Sequence, residues 1–251
     1  MKLYQGSIKL FATLTILLGA IPALAGASMA QEWSFFRPYP HIDSKKWYIS
    51  NGWVNGDHQG CEWRDDAISA VNGHLQLKLS DKGGKLRPYG CAEIHTNDRT
   101  GFGRYEARMR TAAGSGLNTA FFTYVGPPTG SHEHDEIDFE FIGTEPNTVD
   151  VTLWVNGKSD FGKAKRIPLG FNASKSFHDY AIEWRPDSVR WYVDNKLIFE
   201  TPKGVPIPRN STRLYFSLWS GTKIENDWMG PFIYTGPKTA EVAWSKYTPL
   251  L

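Results

Sequence analysis

His132-Glu133-His134-Asp135-Glu136-Ile137-Asp138-Phe139-Glu140-Phe141-Ile142-Gly143 is the most informative stretch of the chain. From Glu136 onward acidic and apolar residues alternate strictly. A period of two is that of a β-strand, in which residues two apart share a face. Glu136, Asp138 and Glu140 are therefore expected to project one way, and Ile137, Phe139 and Phe141 the other. The apolar set suits a core between two sheets, which leaves three carboxyls together on the opposite face. Phe121-Phe122-Thr123-Tyr124 on one side and Val151–Val155 on the other read as further strands. The acidic strand is then central, not an edge.

The same period recurs outward along the chain. Leu75, Leu77 and Leu79 alternate with Gln76 and Lys78; Tyr105, Ala107 and Met109 alternate with Arg104, Glu106, Arg108 and Arg110. The runs Ala181–Trp184 and Val189–Val193 flank the turn-forming Pro186-Asp187-Ser188. Asp194-Asn195 predicts a two-residue hairpin turn into Lys196–Thr201. Arg213–Trp219 and Ala240–Tyr247 complete the set. No segment holds a 3.6-residue apolar period for three turns. The expected fold is all-β, an antiparallel two-sheet β-sandwich in which residues 31–251 form one domain.

Composition agrees with a folded globular chain. Of 251 residues, 41% are hydrophobic and 22% charged, which excludes disorder, collagen and coiled coil. The formal net charge of +2 comes from Lys2 and Lys9 in an N-terminal segment without acids, so the rest is neutral. A neutral chain has no electrostatic reason to bind nucleic acid or an anionic membrane. Aromatics are the outlier, with ten Trp, eleven Tyr and fourteen Phe. They suit a core, and they also suit an uncharged, flat ligand with a polar rim.

Residues 1–30 read as a secretory signal: Lys2 and Lys9, an apolar run from Leu10 to Leu18, then cleavage sites after Ala25 or Ala30. That run is too short to span a bilayer comfortably. The expectation is export to the medium or the periplasm, with no membrane attachment after cleavage. Cys61 and Cys91 are the only cysteines. In an exported chain they form either a disulfide or two buried thiols.

Carboxyls crowded on one strand titrate unequally. An ionised and a protonated carboxyl together are the apparatus for cleaving a glycosidic bond. Retaining enzymes hold the two about 5–5.5 Å apart and inverting ones about 6.5–9.5 Å. Cα atoms four residues apart on a flat strand are roughly 13 Å apart, so spacing alone leaves the stereochemistry open. A metal is the competing reading, because His132, His134 and Glu136 share a face if the strand extends back to His132. Gly130 and Ser131 predict a loop there instead.

His134-Asp135-Glu136-Ile137-Asp138-Phe139-Glu140-Phe141-Ile142-Gly143 resembles the active-site strand of glycoside hydrolase family 16. The resemblance continues through Ser34-Phe35-Phe36 with Pro38, Cys91-Ala92-Glu93, Phe121 to Pro127, Leu218 to Thr222, and Asp227-Trp228, in the order of the bacterial lichenase branch. It implies a curved, concanavalin-like jelly roll with a sugar-binding cleft, and retention by double displacement. By motif position it implies Glu136 as nucleophile, Glu140 as general acid/base and Asp138 as the group that tunes them. It also implies a Cys61–Cys91 disulfide. Trp53, Asn55, Glu93, His95, Phe122, Tyr124, His134, Trp154 and Trp219 become the expected substrate contacts. Aromatic rings there would stack on the C–H faces of sugars while polar groups read the hydroxyls.

Three positions depart from the lichenase pattern. His134 stands for a Trp and His95 for an Arg, which resembles a subgroup that depolymerises succinoglycan-type exopolysaccharides. Pro38 and Gly73 match positions that offer backbone oxygens to a structural calcium, but the matching carboxylate is Ala243. Without its charged ligand a hard-cation site is much weakened. The expected protein is a monomeric, secreted endo-acting β-glycanase with a polysaccharide substrate and no required cofactor. A xyloglucan-type transglycosylase and a non-catalytic carbohydrate-binding protein are the alternatives. The first lacks its Cys-bearing C-terminal extension up to Leu251, and the second has no need of Glu136 and Glu140 together.

Overall fold

Along Gly103–Arg110 every second residue enters the core: Tyr105, Ala107 and Met109 are fully buried, and the four charged residues between them stay half-buried. His74–Leu79 repeats the pattern with Leu75, Leu77 and Leu79. These strands belong to a computed structural model that describes residues 31–33, 42–126, 130–159 and 165–250. The expected signal segment 1–30, the Ser34–Phe36 motif, Pro38 and Pro127 lie outside the described residues.

Two sheets are stacked. In one, the spatial order is Lys196–Glu200, Val189–Val193, His178–Trp184, Gly103–Arg110, Lys238–Pro249, His74–Leu79 and Ile68–Val71, with Gln31–Trp33 also pairing with Lys238–Pro249. In the other it is Lys158–Ser159, Thr148–Val155, Glu136–Ile142, Leu117–Tyr124, Arg213–Ser220, Tyr89–Thr96 and Trp47–Ile49, with Lys165–Pro168 beside Thr148–Val155. Pairings along both paths are antiparallel. Cys61–Trp63 departs from this by running parallel to Tyr89–Cys91. Among the described residues the helical elements are short: Asp65–Ala67, Lys223–Glu225 and Asn226–Met229.

The acidic strand is central, between Leu117–Tyr124 and Thr148–Val155. Its apolar face makes the inter-sheet core. Phe139 and Phe141 meet Tyr180 of the other sheet edge-on, with ring centroids 5.7 and 4.8 Å away. Phe121, Phe139 and Phe216 stack side by side along their own sheet. Each such buried side chain contributes roughly 1.5–3 kcal/mol, so this layer fixes the strand register and hence which way each carboxyl points.

Asp194 and Asn195 both have positive φ, 47° and 63°, as a type I′ hairpin turn requires. Cys61 and Cys91 form a disulfide with Cα atoms 5.7 Å apart. It ties the 51–60 loop to the acidic sheet. A closed loop of this size is worth about 3–4 kcal/mol in the chain-entropy model.

Candidate active site

Directly opposed residues on antiparallel neighbours share a face. Register therefore extends the acidic face across the sheet. Tyr124, Phe122 and Ala120 stand opposite Glu136, Asp138 and Glu140 on one side; Trp154, Thr152 and Asp150 do so on the other. One strand further lie Arg213, Tyr215 and Ser217, with Trp219 opposite Asn118. Glu93 and His95 follow, and Tyr48 stands opposite His95.

The three carboxyls have different settings. Asp138 is buried, at 4% exposure. Burial, followed by the charges of Glu136 and Glu140, pushes it well above the usual carboxylate range. It therefore holds a proton and hydrogen-bonds Glu136. Burial pushes Glu140 up to about 8, with Glu136, Asp150 and Glu225 adding to it. The Asn118 Nδ2–H, 3.0 Å from Glu140 Oε1, opposes that rise. Glu136 accepts from Asp138 and lies 2.5 Å from His134 Nε2. Glu93 is a further buried carboxyl on this face. Burial brings it to about 7, with Glu136 adding to the rise and a 2.6 Å bond from Ser50 Oγ opposing it.

The expected substrate residues fall into three groups. Glu93, His95, Phe122, Tyr124, Trp154 and Trp219 are on the carboxyl face by register. All but Glu93 are half-buried, so each ring keeps part of its surface open. His95 stacks on Tyr48 at 4.9 Å and lies tilted against Tyr215 at 4.6 Å, centroid to centroid. Its Nδ1–H donates to the Thr96 carbonyl, and burial holds its pKa below the usual histidine value.

Trp53 and Asn55 form the second group, on the loop beside Trp219. Gly60 N–H donates to the Ser220 carbonyl, Thr222 N–H to that of His58, and the His58 ring meets Trp219 edge-on at 5.8 Å. Trp53 is exposed and packs its edge on Trp63. Asn55 Oδ1 accepts from Trp63 Nε1.

His134, expected against the sugar chain, is fully buried, stacked on Trp154 at 4.8 Å and edge-on to Tyr124 at 5.2 Å. The strand begins only at Glu136. His134 keeps the side of Glu136 and lies between the Trp154 and Tyr124 rings of the carboxyl face, closed off there from the surface.

Asn118, Ser50, Tyr215 and the Asp150–Arg166 pair were not anticipated. Arg166 grips Asp150 with two bonds of 2.8 Å, and Trp228 Nε1 donates to the same carboxylate. Asn118 and Tyr215 each sit four residues before an expected cleft aromatic, so the same alternation could have found them. Nothing in the sequence marks Ser50. Asp135 is buried under the start of the strand. Its carboxylate accepts the backbone N–H groups of Asn156, Arg209 and Asn210 at 2.8–2.9 Å.

The metal reading finds no support in the donors. Among the described residues no group of three His, Cys, Asp or Glu could hold a metal ion, and His132 is an exposed loop residue beside Glu133. Of the positions that the resemblance implies for calcium, Pro38 is outside the described residues. Gly73 lies in a tight turn with φ of 80°. Ala243 is a buried methyl at a bulge in Lys238–Pro249, with no carboxylate to offer.

Residues 55–246 match the family glycosyl hydrolases family 16. The chain is 41% identical over 209 residues to the endo-1,3-1,4-beta-glycanase ExoK of Rhizobium meliloti (strain 1021), covering 83% of this chain and 76% of that one. It is 35% identical over 233 residues to a beta-glucanase of Paenibacillus macerans, covering 92% of each. Among solved structures it resembles a prokaryotic beta-1,3-1,4-glucanase (lichenase) derived from a mouse hindgut metagenome, with a TM-score of 0.80 and 31% identity. That match covers 88% of this chain and 99% of the other. A match of this extent, on a chain whose central strand carries the acidic triplet, establishes that the protein belongs to glycosyl hydrolase family 16.

Proposed function

We propose that this protein is an endo-acting β-glycanase that hydrolyses internal β-glycosidic bonds of a β-glucan or a succinoglycan-like bacterial exopolysaccharide, with retention of configuration. One observation carries the assignment of roles. Glu136 and Glu140 share a face lined by half-open aromatic rings, and burial keeps Glu140 protonated at neutral pH. Glu136 is the nucleophile. Its carboxylate oxygen bonds to the anomeric carbon as the bond to the leaving sugar breaks. The departing oxygen keeps the bonding pair and takes the Glu140 proton. Water then attacks the same carbon, gives its proton to Glu140, and the electron pair of the ester bond returns to Glu136. One water is consumed per bond cleaved, and no cofactor enters.

The electrostatics suit both halves of the cycle. The Glu136 charge is one of the forces that raise Glu140. Esterification of Glu136 removes that charge and lowers the Glu140 pKa, so Glu140, ionised by the first step, stays a carboxylate until water delivers its proton. Asp138 holds its proton on the Glu136 side and hydrogen-bonds the carboxylate while it is charged.

The substrate is read as a polysaccharide whose rings stack on Phe122, Tyr124, Trp154 and Trp219. Names of the relatives point to mixed-linkage glucans, and the Arg213 guanidinium on the same face suits acidic substituents. The same reading includes export by the 1–30 segment, a monomer, and no required cofactor. Turnover of succinoglycan and barley glucan by purified protein separates the two polymers, since faster cleavage of the glucan would reject the exopolysaccharide. Glu136→Ala tests the nucleophile: azide should restore cleavage and give the inverted glycosyl azide, and a folded variant without rescue would reject the assignment.

A further inference from the structure

His134 sits where its chemistry is decided by the main chain. The backbone N–H of Gly130, 2.9 Å away, donates to His134 Nδ1. A backbone N–H can only donate, so Nδ1 carries a lone pair and the ring proton is on Nε2. Nε2 lies 2.5 Å from Glu136 Oε2 and donates to it. Trp154 stacks on the ring and Tyr124 meets its edge. The turn that presents Gly130 is itself pinned. The Gly157 N–H donates to the His134 carbonyl, and a Cβ on Gly157 would meet the Gly130 and Ser131 carbonyl oxygens at about 2.5 Å or less.

The geometry points to His134 as a positioning residue that acts as a single-tautomer Nε2–H donor to the catalytic carboxylate of Glu136. This rests on the proposed nucleophile. A second proton on the ring would have to displace the Gly130 N–H in a fully buried site. The imidazole thus orients the Glu136 carboxylate without presenting a cation that would hold it in a tight ion pair. The titratable groups facing the ring are Glu136 and Tyr124. Asp138 reaches it only through Glu136, Asp135 is turned to the Asn156, Arg209 and Asn210 N–H groups, and Glu133 lies outside beside His132.

Nitrogen-15 histidine NMR on the intact protein reads the tautomer directly. His134 should carry its proton on Nε2 and a lone pair on Nδ1; a proton on Nδ1 instead would overturn the proposal. His134→Phe keeps a ring between Trp154 and Tyr124 and removes the donor. It should lower kcat roughly 10- to 100-fold and leave KM within about twofold. His134→Gln places an amide N–H near the Nε2 position and should recover most of that rate. A folded Phe variant with native kcat would overturn the role. Trapping wild-type enzyme with a 2-fluoro glycoside, followed by peptide mapping, keeps the two readings apart. A label elsewhere than Glu136 rejects the nucleophile, whereas a label on Glu136 with an indifferent Phe variant rejects only the function of His134.

Discussion

The outer faces of the two sheets treat charge in opposite ways. On the sheet containing Gly103–Arg110, Arg104 reaches Glu106 and Glu183, Arg190 reaches Glu183 and Glu200, and Arg108 reaches Asp179. Arg110 pairs with Glu241, Lys246 approaches Glu106, and the Arg104 guanidinium lies over the Tyr192 ring. Acids and bases alternate across this surface, and each carboxylate finds a cation. On the other sheet Glu93, Glu136, Asp138 and Glu140 face the same way, with neutral partners: Ser50, His134, Asn118 and one another. The nearest bidentate cation, Arg166, is committed to Asp150. The paired face costs the protein little and gains little. The unpaired face stores protons near neutrality, as general acid catalysis needs.

The largest expected effect overturns or supports this contrast at once. Glu136→Gln and Glu140→Gln should each lower kcat on a natural polymer by about 1000-fold or more. Reducing-end release checks this, and near-native turnover in either variant would remove the functional meaning of the unpaired face.

A pH profile refines it. Because burial raises Glu140 to about 8, the alkaline limb of kcat/KM should fall near that value, giving a bell. Asn118→Ala removes the bond that opposes the rise. The limb should then move up by about half a unit. A profile flat from about pH 4 to 9 contradicts both statements.

Stability carries the same information with smaller numbers. Glu93 and Glu140 both rise from an ordinary value of 4.5, to about 7 and about 8. Their folded pKa values exceed the unfolded ones, so the stability linked to them is complete below about pH 4.5 and is lost as pH rises through about 7 to 8. Glu140→Gln mimics the protonated group. It should raise Tm by about 2–5 °C at pH 8.5 and leave it unchanged near pH 4.5. An equal change at both values would break the link to burial.

The smallest effect belongs to the other face. Glu183 accepts from Arg185 at 2.6 Å and lies near Arg104 and Arg190. Glu183→Gln should cost about 0.5–1 kcal/mol, or about 1–4 °C in Tm, with kcat unchanged. A drop in kcat would mean that the two faces are coupled through the core.

Much of this was legible because alternation is a two-state code. Once Phe139 and Phe141 must enter the core, Glu136, Asp138 and Glu140 have no choice of side. The same logic places Phe122, Tyr124, Trp154 and Trp219, and the hairpin at Asp194-Asn195 follows from its residue types. Partners set by register across strands were not legible. Asn118 meets Glu140 over 22 positions and Ser50 meets Glu93 over 43. His134 lies on the side that alternation gives it, but its full burial was not legible, because it depends on the turn at Gly130 and not on a period. The parallel Cys61–Trp63 pairing likewise depends on a loop path that carries no repeat.

Asp135 has a consequence for the order in which the enzyme is assembled. Glu136 and Glu140 are near neighbours in the polymer, yet the carboxylate just before them is satisfied by N–H groups on Arg209 and Asn210, 74 and 75 positions later. During translation, a nascent chain that has not yet released Arg213–Ser220 holds both glutamates without the strand next to Leu117–Tyr124 or the clasp on Asp135. Contacts of such long range close late. Competence for chemistry should therefore arrive with the C-terminal third of the chain, in one step, and not accumulate as the acidic strand emerges.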